Sequence, residues 1–423
     1  MTDILAINGG TPVRTTPWPP MFPGGTAYGE EEKQAALAVI EAQSPFRFYG
    51  LNPLKQVDQL EKEYREFLGV EHALAVGSGS AALIVALAAL GVGPGTEVIL
   101  PGFLWVSDVN AVVLLRGIPV FAEVDETLNL DAHDLERHIT PRTKAIIAVH
   151  MAGTAADMEA ILEVACRHHI PVLEDCSQAA GASINGRKVG SIGAISTVSL
   201  QYNKNFTTGE GGLIATSDNE LYRKCTCYHD LGFDRDIDGI SKPLGSPHES
   251  FGFGTRMDEL RGAVGVVQLR KLPSIVARMN ERQQQIRQEL TGLRGITLRR
   301  LVDPAGDSGA YFVWFNETAE MAVRFREALQ AEGIPASPPH GGLHQFRHLT
   351  NLLSKRPVTT GGCPWDCPLN AQSNTNYSPD MLPKTNELLD RASMIPMPPL
   401  MTDEDARDVV VAFRKVHAAL IGG

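Results

Sequence analysis

The sequence predicts an α/β protein in which a large, mainly parallel sheet wrapped by helices precedes a smaller α+β unit. Three observations carry this. From residue 72 onward, short β-branched runs alternate with segments of helical periodicity, the grammar of βαβ units. Around 253–290 the pattern changes to a long helical stretch, which reads as a bridge between domains. Beyond it lie two more strand-like runs, a helix, a long irregular loop and a terminal helix.

Taken in order, residues 1–28 are rich in Pro, Gly and Thr and read as an extended arm laid over another surface. Helical periodicity follows over 30–43 and 54–68, separated by an aromatic loop, 44–50, that contains Tyr49. That loop is either a turn packed by its own rings or a substrate-side loop. Strands are expected at 73–76, 97–100, 119–124, 145–149, 171–174, 195–200 and 212–216, with helices at 81–90, 107–116 and 158–168. The bridge reads as helices 260–272 and 275–290. The final unit has strands 296–301 and 310–315, helices 321–332 and 403–420, and the loop 335–380. The expected division is an arm 1–28, a large α/β domain 29–275 and a small C-terminal α+β domain 276–423.

Bulk properties exclude several classes of function. The 423 residues are 43% hydrophobic and 21% charged, ordinary globular usage that argues against disorder or coiled coil. A net charge of -11 without a basic cluster argues against nucleic-acid binding. No apolar run approaches the roughly 18 residues that span a bilayer, and the first residues lack a signal-peptide pattern. A cytoplasmic protein is expected, its six cysteines reduced. Cys363 and Cys367 resemble half a metal site, and His340, His344 and His348 would share a helix face. Pro338, Pro339, Gly341 and Gly342 instead put the first of these histidines in a loop. No metal is expected; the segment reads as loop packing or substrate contact.

Four motifs carry chemistry. Gly77-Ser-Gly-Ser80 lies between a strand and a helix, where small residues and free helix N–H groups suit a phosphate, although an ordinary tight turn looks alike. Trp105 follows the next strand and could stack on a planar ring or belong to the core. Glu174 and Asp175 end an apolar strand ahead of Gln178; a strand-end carboxylate can meet a ligand or cap the next helix. Lys204 stands between an apolar run that includes Ser199 and the glycine turn Gly209-Glu-Gly-Gly212, a fixed and desolvated position suited to forming an imine. In this order the four describe pyridoxal 5'-phosphate (PLP) held on Lys204, with an aspartate keeping the ring nitrogen protonated.

The chain resembles the DegT/DnrJ/EryC1/StrS aminotransferases from its Gly9-Gly-Thr-Pro-Val-Arg14 arm to its terminal helix, most specifically at Ser199-x4-Lys204-x4-Gly209-Glu-Gly-Gly212. The resemblance implies the fold-type I, aspartate-aminotransferase-like fold and a homodimer with active sites at the subunit interface. It makes Lys204 the Schiff-base lysine and proton shuttle, assigns Ser80, Ala81 and Ser199 to the phosphate, Trp105 to the ring face, Asp175 to the ring nitrogen and Gln178 to the neighbourhood of O3'. Arg256 becomes a candidate for the donor carboxylate, with Tyr49, His340 and His344 on the substrate side. The chain departs from the family where Gly254 replaces an asparagine, and in the asparagines Asn203 and Asn205 flanking the lysine. It keeps the lysine that a sugar-dehydrating branch replaces with histidine.

The implied activity moves an amino group from glutamate or glutamine to a keto-sugar or keto-cyclitol, with a scyllo-inosose-type ketone preferred, as in antibiotic biosynthesis. The alternatives are a PLP-dependent lyase or dehydratase resembling the aminohydroxybenzoate synthases, and a non-catalytic PLP-binding partner subunit.

Overall fold

The computed structural model describes residues 4–235, 250–339 and 341–422. The large sheet is built from β1 (His72–Val76), β2 (Glu97–Pro101), β3 (Ile118–Ala122), β4 (Thr143–Val149) and β5 (Val172–Asp175). After a small hairpin, β6 (Ser183–Ile184) and β7 (Arg187–Lys188), it is completed by β8 (Ile195–Ser199) and β9 (Gly212–Thr216). The spatial order is β1-β9-β8-β5-β4-β2-β3, and only β9 runs against the rest. The central strands are apolar on both faces, with Ile146, Ile147 and Ala148 fully buried, because helices cover both sides.

The register aligns the carboxyl ends of the parallel strands: Val149 pairs with Asp175, and Asp175 with Thr197. The loops after β2, β5 and β8 therefore leave the sheet at one edge, where ligands bind in open α/β sheets. The helix Gly79–Ala89 starts at that edge, capped by Ser78 Oγ on the Ala81 N–H.

The C-terminal unit has a three-stranded antiparallel sheet, β10 (Ile296–Leu298), β11 (Tyr311–Asn316) and β12 (Ala392–Pro396), with β11 central. Its core packs Phe312, Trp314, Phe325 and Phe413. The sequence reading stops one bridge helix at 272 and restarts at 275. The structure instead has one helix, Glu259–Leu290, running through Pro273. Leu272, Ile275 and Met279 lock its middle into the large core while Ile286 and Leu290 enter the small one, and this packing outweighs the missing N–H. Among the described residues no helix is long and apolar enough to cross a membrane.

Sequence reading passed over the helices Asn219–His229 and Pro383–Arg391 and the strand β12. The irregular stretch that precedes the last two is held by burial: Phe346, Leu349 and Leu352 sit in the core under the large sheet. The Phe346 N–H donates to Gly102 O (3.1 Å) and the Leu104 N–H to His344 O (3.0 Å), which brings His344 to the strand-end edge. The arm, expected to lie over another surface, packs on its own chain: Leu5 enters the small core, and the Gly24 N–H donates to Lys204 O (2.9 Å).

Candidate active site

At the carboxyl edge a cavity of about 470 Å³ is lined by Ser78, Gly79, Ser80, Trp105, Asp175, Gln178, Ser199, Lys204 and His344, together with Met21 and Tyr311. Lys204 is the one lysine lining it among the described residues. Its own N–H donates to Gln201 O (3.0 Å), so both of its backbone polar groups are hydrogen-bonded. Burial pulls its ammonium below the ordinary lysine range, against the attraction of Asp175 and then Asp108.

The two acids ending β5 part company because successive strand residues face opposite ways. Glu174 turns into the protein, where Gly190, Ile192 and Gly193 donate N–H groups to it at 2.9, 2.7 and 2.6 Å. Asp175 turns to the cavity, and its Oδ1 accepts the Ser177 N–H (2.9 Å). Ser177 Oγ in turn accepts the Ser199 N–H (3.0 Å), which joins two sequence motifs across adjacent strands. Gln178 Oε1 accepts the Ala152 N–H (2.9 Å), so its amide nitrogen is left to face the cavity. The Ser80 and Ser107 hydroxyls share a 2.8 Å hydrogen bond. The rings of Trp105 and His344 lie 4.6 Å apart at 49°.

Seven of the residues singled out from sequence thus converge: Ser80, Trp105, Asp175, Gln178, Ser199, Lys204 and His344. Ala81 lies one step inside the helix, its N–H taken by Ser78. His340 falls outside the described residues. Tyr49 and Arg256 stand elsewhere, both against Phe46, with ring centroids 4.6 Å apart for Tyr49 and the Arg256 guanidinium 5.5 Å from the ring. Arg256 also pairs with Asp230. Both of the unusual asparagines border the cavity, and Asn205 also donates to Ala180 O (2.9 Å). Cys363 and Cys367 are free thiols.

Sequence reading missed Ser107, Ser177, Tyr311 and Asp108. The last has a visible signal: an acid in the first turn of the largely apolar helix Val106–Leu114, three residues after Trp105.

The donor set suits a phosphorylated aldehyde with a planar, basic ring. The first N–H groups of the helix Gly79–Ala89 have no intrahelical acceptor, and the Ser80 and Ser199 hydroxyls stand beside them. A Cβ on Gly79 would lie 2.6 Å from Ser199 Cβ, so the cradle closes only around glycine. Trp105 offers a ring face, Asp175 a carboxylate for a protonated ring nitrogen, and Lys204 an amine for the aldehyde.

Comparison with known proteins agrees. The model of the DegT/DnrJ/EryC1/StrS aminotransferase family matches residues 28–361. An L-glutamine:2-deoxy-scyllo-inosose aminotransferase of Streptoalloteichus tenebrarius is 36% identical over 81% of this chain and 82% of its own. A GDP-perosamine synthase of Caulobacter vibrioides is 34% identical over 69% of this chain and 78% of its own. The crystal structure of a 3-amino-5-hydroxybenzoic acid synthase superposes with a TM-score of 0.76 at 27% identity, covering 97% of this chain and all (100%) of that one. The chain belongs to the DegT/DnrJ/EryC1/StrS family and is a PLP-dependent aminotransferase.

Proposed function

We propose that this aminotransferase carries an amino group from glutamate or glutamine to a keto-sugar or keto-cyclitol, and that a scyllo-inosose-type ketone of antibiotic biosynthesis is its acceptor. The observation that carries this is Lys204 in a cavity that also presents Asp175, Trp105 and a serine-lined helix start. The name of the Streptoalloteichus relative supports the cyclitol, and that of the Caulobacter relative the broader sugar class.

PLP, when bound, supplies an electron sink for the negative charge left at the donor's Cα. Ser80, Ser199 and the helix start would hold its phosphate, Trp105 its ring face, Asp175 its ring nitrogen and Gln178 the neighbourhood of O3'. Lys204 Nζ, whose charged form burial disfavours, would move a proton from the donor's Cα to the cofactor's C4' carbon and, in the second half, from C4' to the former carbonyl carbon of the acceptor. His344, held neutral by burial, offers a hydrogen bond to a sugar hydroxyl without repelling the lysine.

Arg256 and Tyr49 sit outside this chain's cavity, both against Phe46, with Tyr49 at 73% exposure. This supports a homodimer in which they serve the second subunit's site. Free cysteines fit a cytoplasmic protein. The division at 1–28, 29–275 and 276–423 is supported by the separate aromatic core of the C-terminal unit.

The test is spectral. Glutamate or glutamine should discharge the visible band of the bound cofactor, and 2-deoxy-scyllo-inosose should restore it. A band that no amino donor discharges would favour a lyase or dehydratase. Lys204→Ala should lose the band and amino transfer, by at least about 10²–10⁴-fold; undiminished transfer would refute the lysine's role.

A further inference from the structure

Asp108 occupies the first turn of the helix Val106–Leu114, whose cap residue is Trp105. It is fully buried, and neither carboxyl oxygen has a hydrogen-bond partner among the described residues. A buried carboxylate left so is costly and calls for an explanation. Among the described residues the charge that raises it is that of the neighbouring Asp175 carboxylate, and Asp108 in turn acts on Lys204.

These observations have one consistent solution. Two ionised carboxylates offer acceptors only, so no hydrogen bond joins them; with one proton between them the same contact becomes an O–H···O⁻ bond. Desolvation and the adjacent Asp175 push the Asp108 carboxyl well above the usual carboxylate range, against weaker pulls from the Trp105 backbone and its own. Asp175 is the one of the two that faces the cavity and is held by the Ser177 N–H, so Asp108 is the one that keeps the proton.

We infer that Asp108 is a neutral acid that donates its O–H to the Asp175 carboxylate, making it a positioning residue for the carboxylate that meets the cofactor's ring nitrogen. The inference rests on the role proposed above for Asp175. Held by Ser177 on one side and Asp108 on the other, Asp175 has a fixed orientation, and sharing its charge with a donor lowers its basicity toward the ring. A neutral Asp108 also removes one of the two negative charges that oppose the desolvation of Lys204, leaving the amine freer to react.

Asp108→Asn keeps a neutral N–H donor in the same shape, and Asp108→Ala removes it. In the cofactor-free wild type at neutral pH, infrared spectroscopy should show a protonated buried carboxyl band that both variants lose. Cofactor affinity should fall about tenfold in Asp108→Ala and stay within about twofold of wild type in Asp108→Asn. In the wild type the folded state holds a proton the unfolded chain releases, so stability falls as pH rises toward the folded value; in Asp108→Asn that decline should vanish. Absence of the band in the wild type, or its survival in both variants, would overturn the inference, as would equal cofactor loss in Asn and Ala. The band and the stability profile need neither donor nor ketone, so failure of the transamination reading would leave them in place.

Discussion

The backbone N–H of Gly24 donates to the carbonyl of Lys204 at 2.9 Å, so the arm that begins on the small domain ends on the backbone of the lysine proposed to form the imine. Upstream, Glu332 accepts the N–H groups of Ala6 (2.8 Å) and Val13 (3.0 Å), and Arg14 pairs with Asp405 at 2.6 Å. The Phe22 ring lies 5.0 Å from that of Tyr202, on the lysine turn itself. A Cβ on Gly24 would come within 2.8 Å of Phe206 Cα and 2.9 Å of Thr207 N, both backbone atoms that cannot swing aside. Gly24→Ala should therefore displace the turn, at about 1–3 kcal/mol of stability, with weaker cofactor retention. Thermal melting and the cofactor's visible band would show it; no change in either would mean that the arm and turn are slack.

A second tight approach lies at the proposed phosphate cradle. The Cβ that Gly79→Ala adds would meet Ser199 Cβ at 2.6 Å and Ser199 Cα at 3.0 Å, pushing apart the two walls that carry the phosphate hydroxyls. Alanine favours a helix by about 1 kcal/mol over glycine, so global stability should change little. Cofactor dissociation should rise roughly tenfold, on the order of 1.4 kcal/mol. Fluorescence titration of cofactor-free protein measures it, and wild-type affinity would remove Gly79 from the cradle.

The contrast between these two glycines shows what the sequence could and could not disclose. Gly79 lies in a motif whose small residues announce a strand-to-helix turn, and the same local logic located Lys204, Asp175 and Trp105. Every strand of the large sheet was legible, because a strand buried on both faces is written as a continuous apolar run. Gly24 and Glu332 carry no such mark. They matter because the chain returns from far away, Lys204 to Gly24 and Glu332 to Ala6, a relation no window along the sequence contains. Asp108 was hidden differently: it lies on a helix and its neighbour, Asp175, at the end of β5, so the pair exists only once the sheet edge is assembled. The long helix was misread as two because a proline is a local signal, while the burial that overrides it is not.

Arg47 and Glu61 form a buried two-pronged pair, Nη1 to Oε1 and Nη2 to Oε2 both at 2.9 Å, and Glu61 Oε1 also accepts the Ala75 N–H at 2.7 Å. The pair ties the aromatic loop carrying Tyr49 to the helix Gln56–Leu68 and to β1. Glu61→Ala leaves the guanidinium with only Asp58, 3.2 Å away and more exposed, and strands a strand N–H. Unfolding in urea should show a loss of about 3–5 kcal/mol, with the midpoint shifted and the slope unchanged. A loss under about 1 kcal/mol would mean that Asp58 takes over the pair.

His344 gives the fold a pH dependence whose sign is set by burial. Removal from water, with the nearby Lys204 acting in the same direction and the Gly341 backbone against it, lowers its imidazole to about 4 from the ordinary 6.5. Between these values the unfolded chain binds a proton that the folded protein does not. Stability therefore rises with pH across this window: the contribution is complete above pH 6.5 and is lost as pH falls toward about 4. One proton corresponds to a slope of at most about 1.4 kcal/mol per pH unit. His344→Gln keeps a polar side chain that does not titrate, so the difference between wild-type and variant stability should grow in the variant's favour as the solution is acidified from pH 6.5. Urea unfolding of both proteins at successive pH values isolates this slope from the carboxylates they share. Parallel curves would show that the histidine is hydrated and protonates freely, and would remove the neutral hydrogen-bonding role given to it beside Trp105.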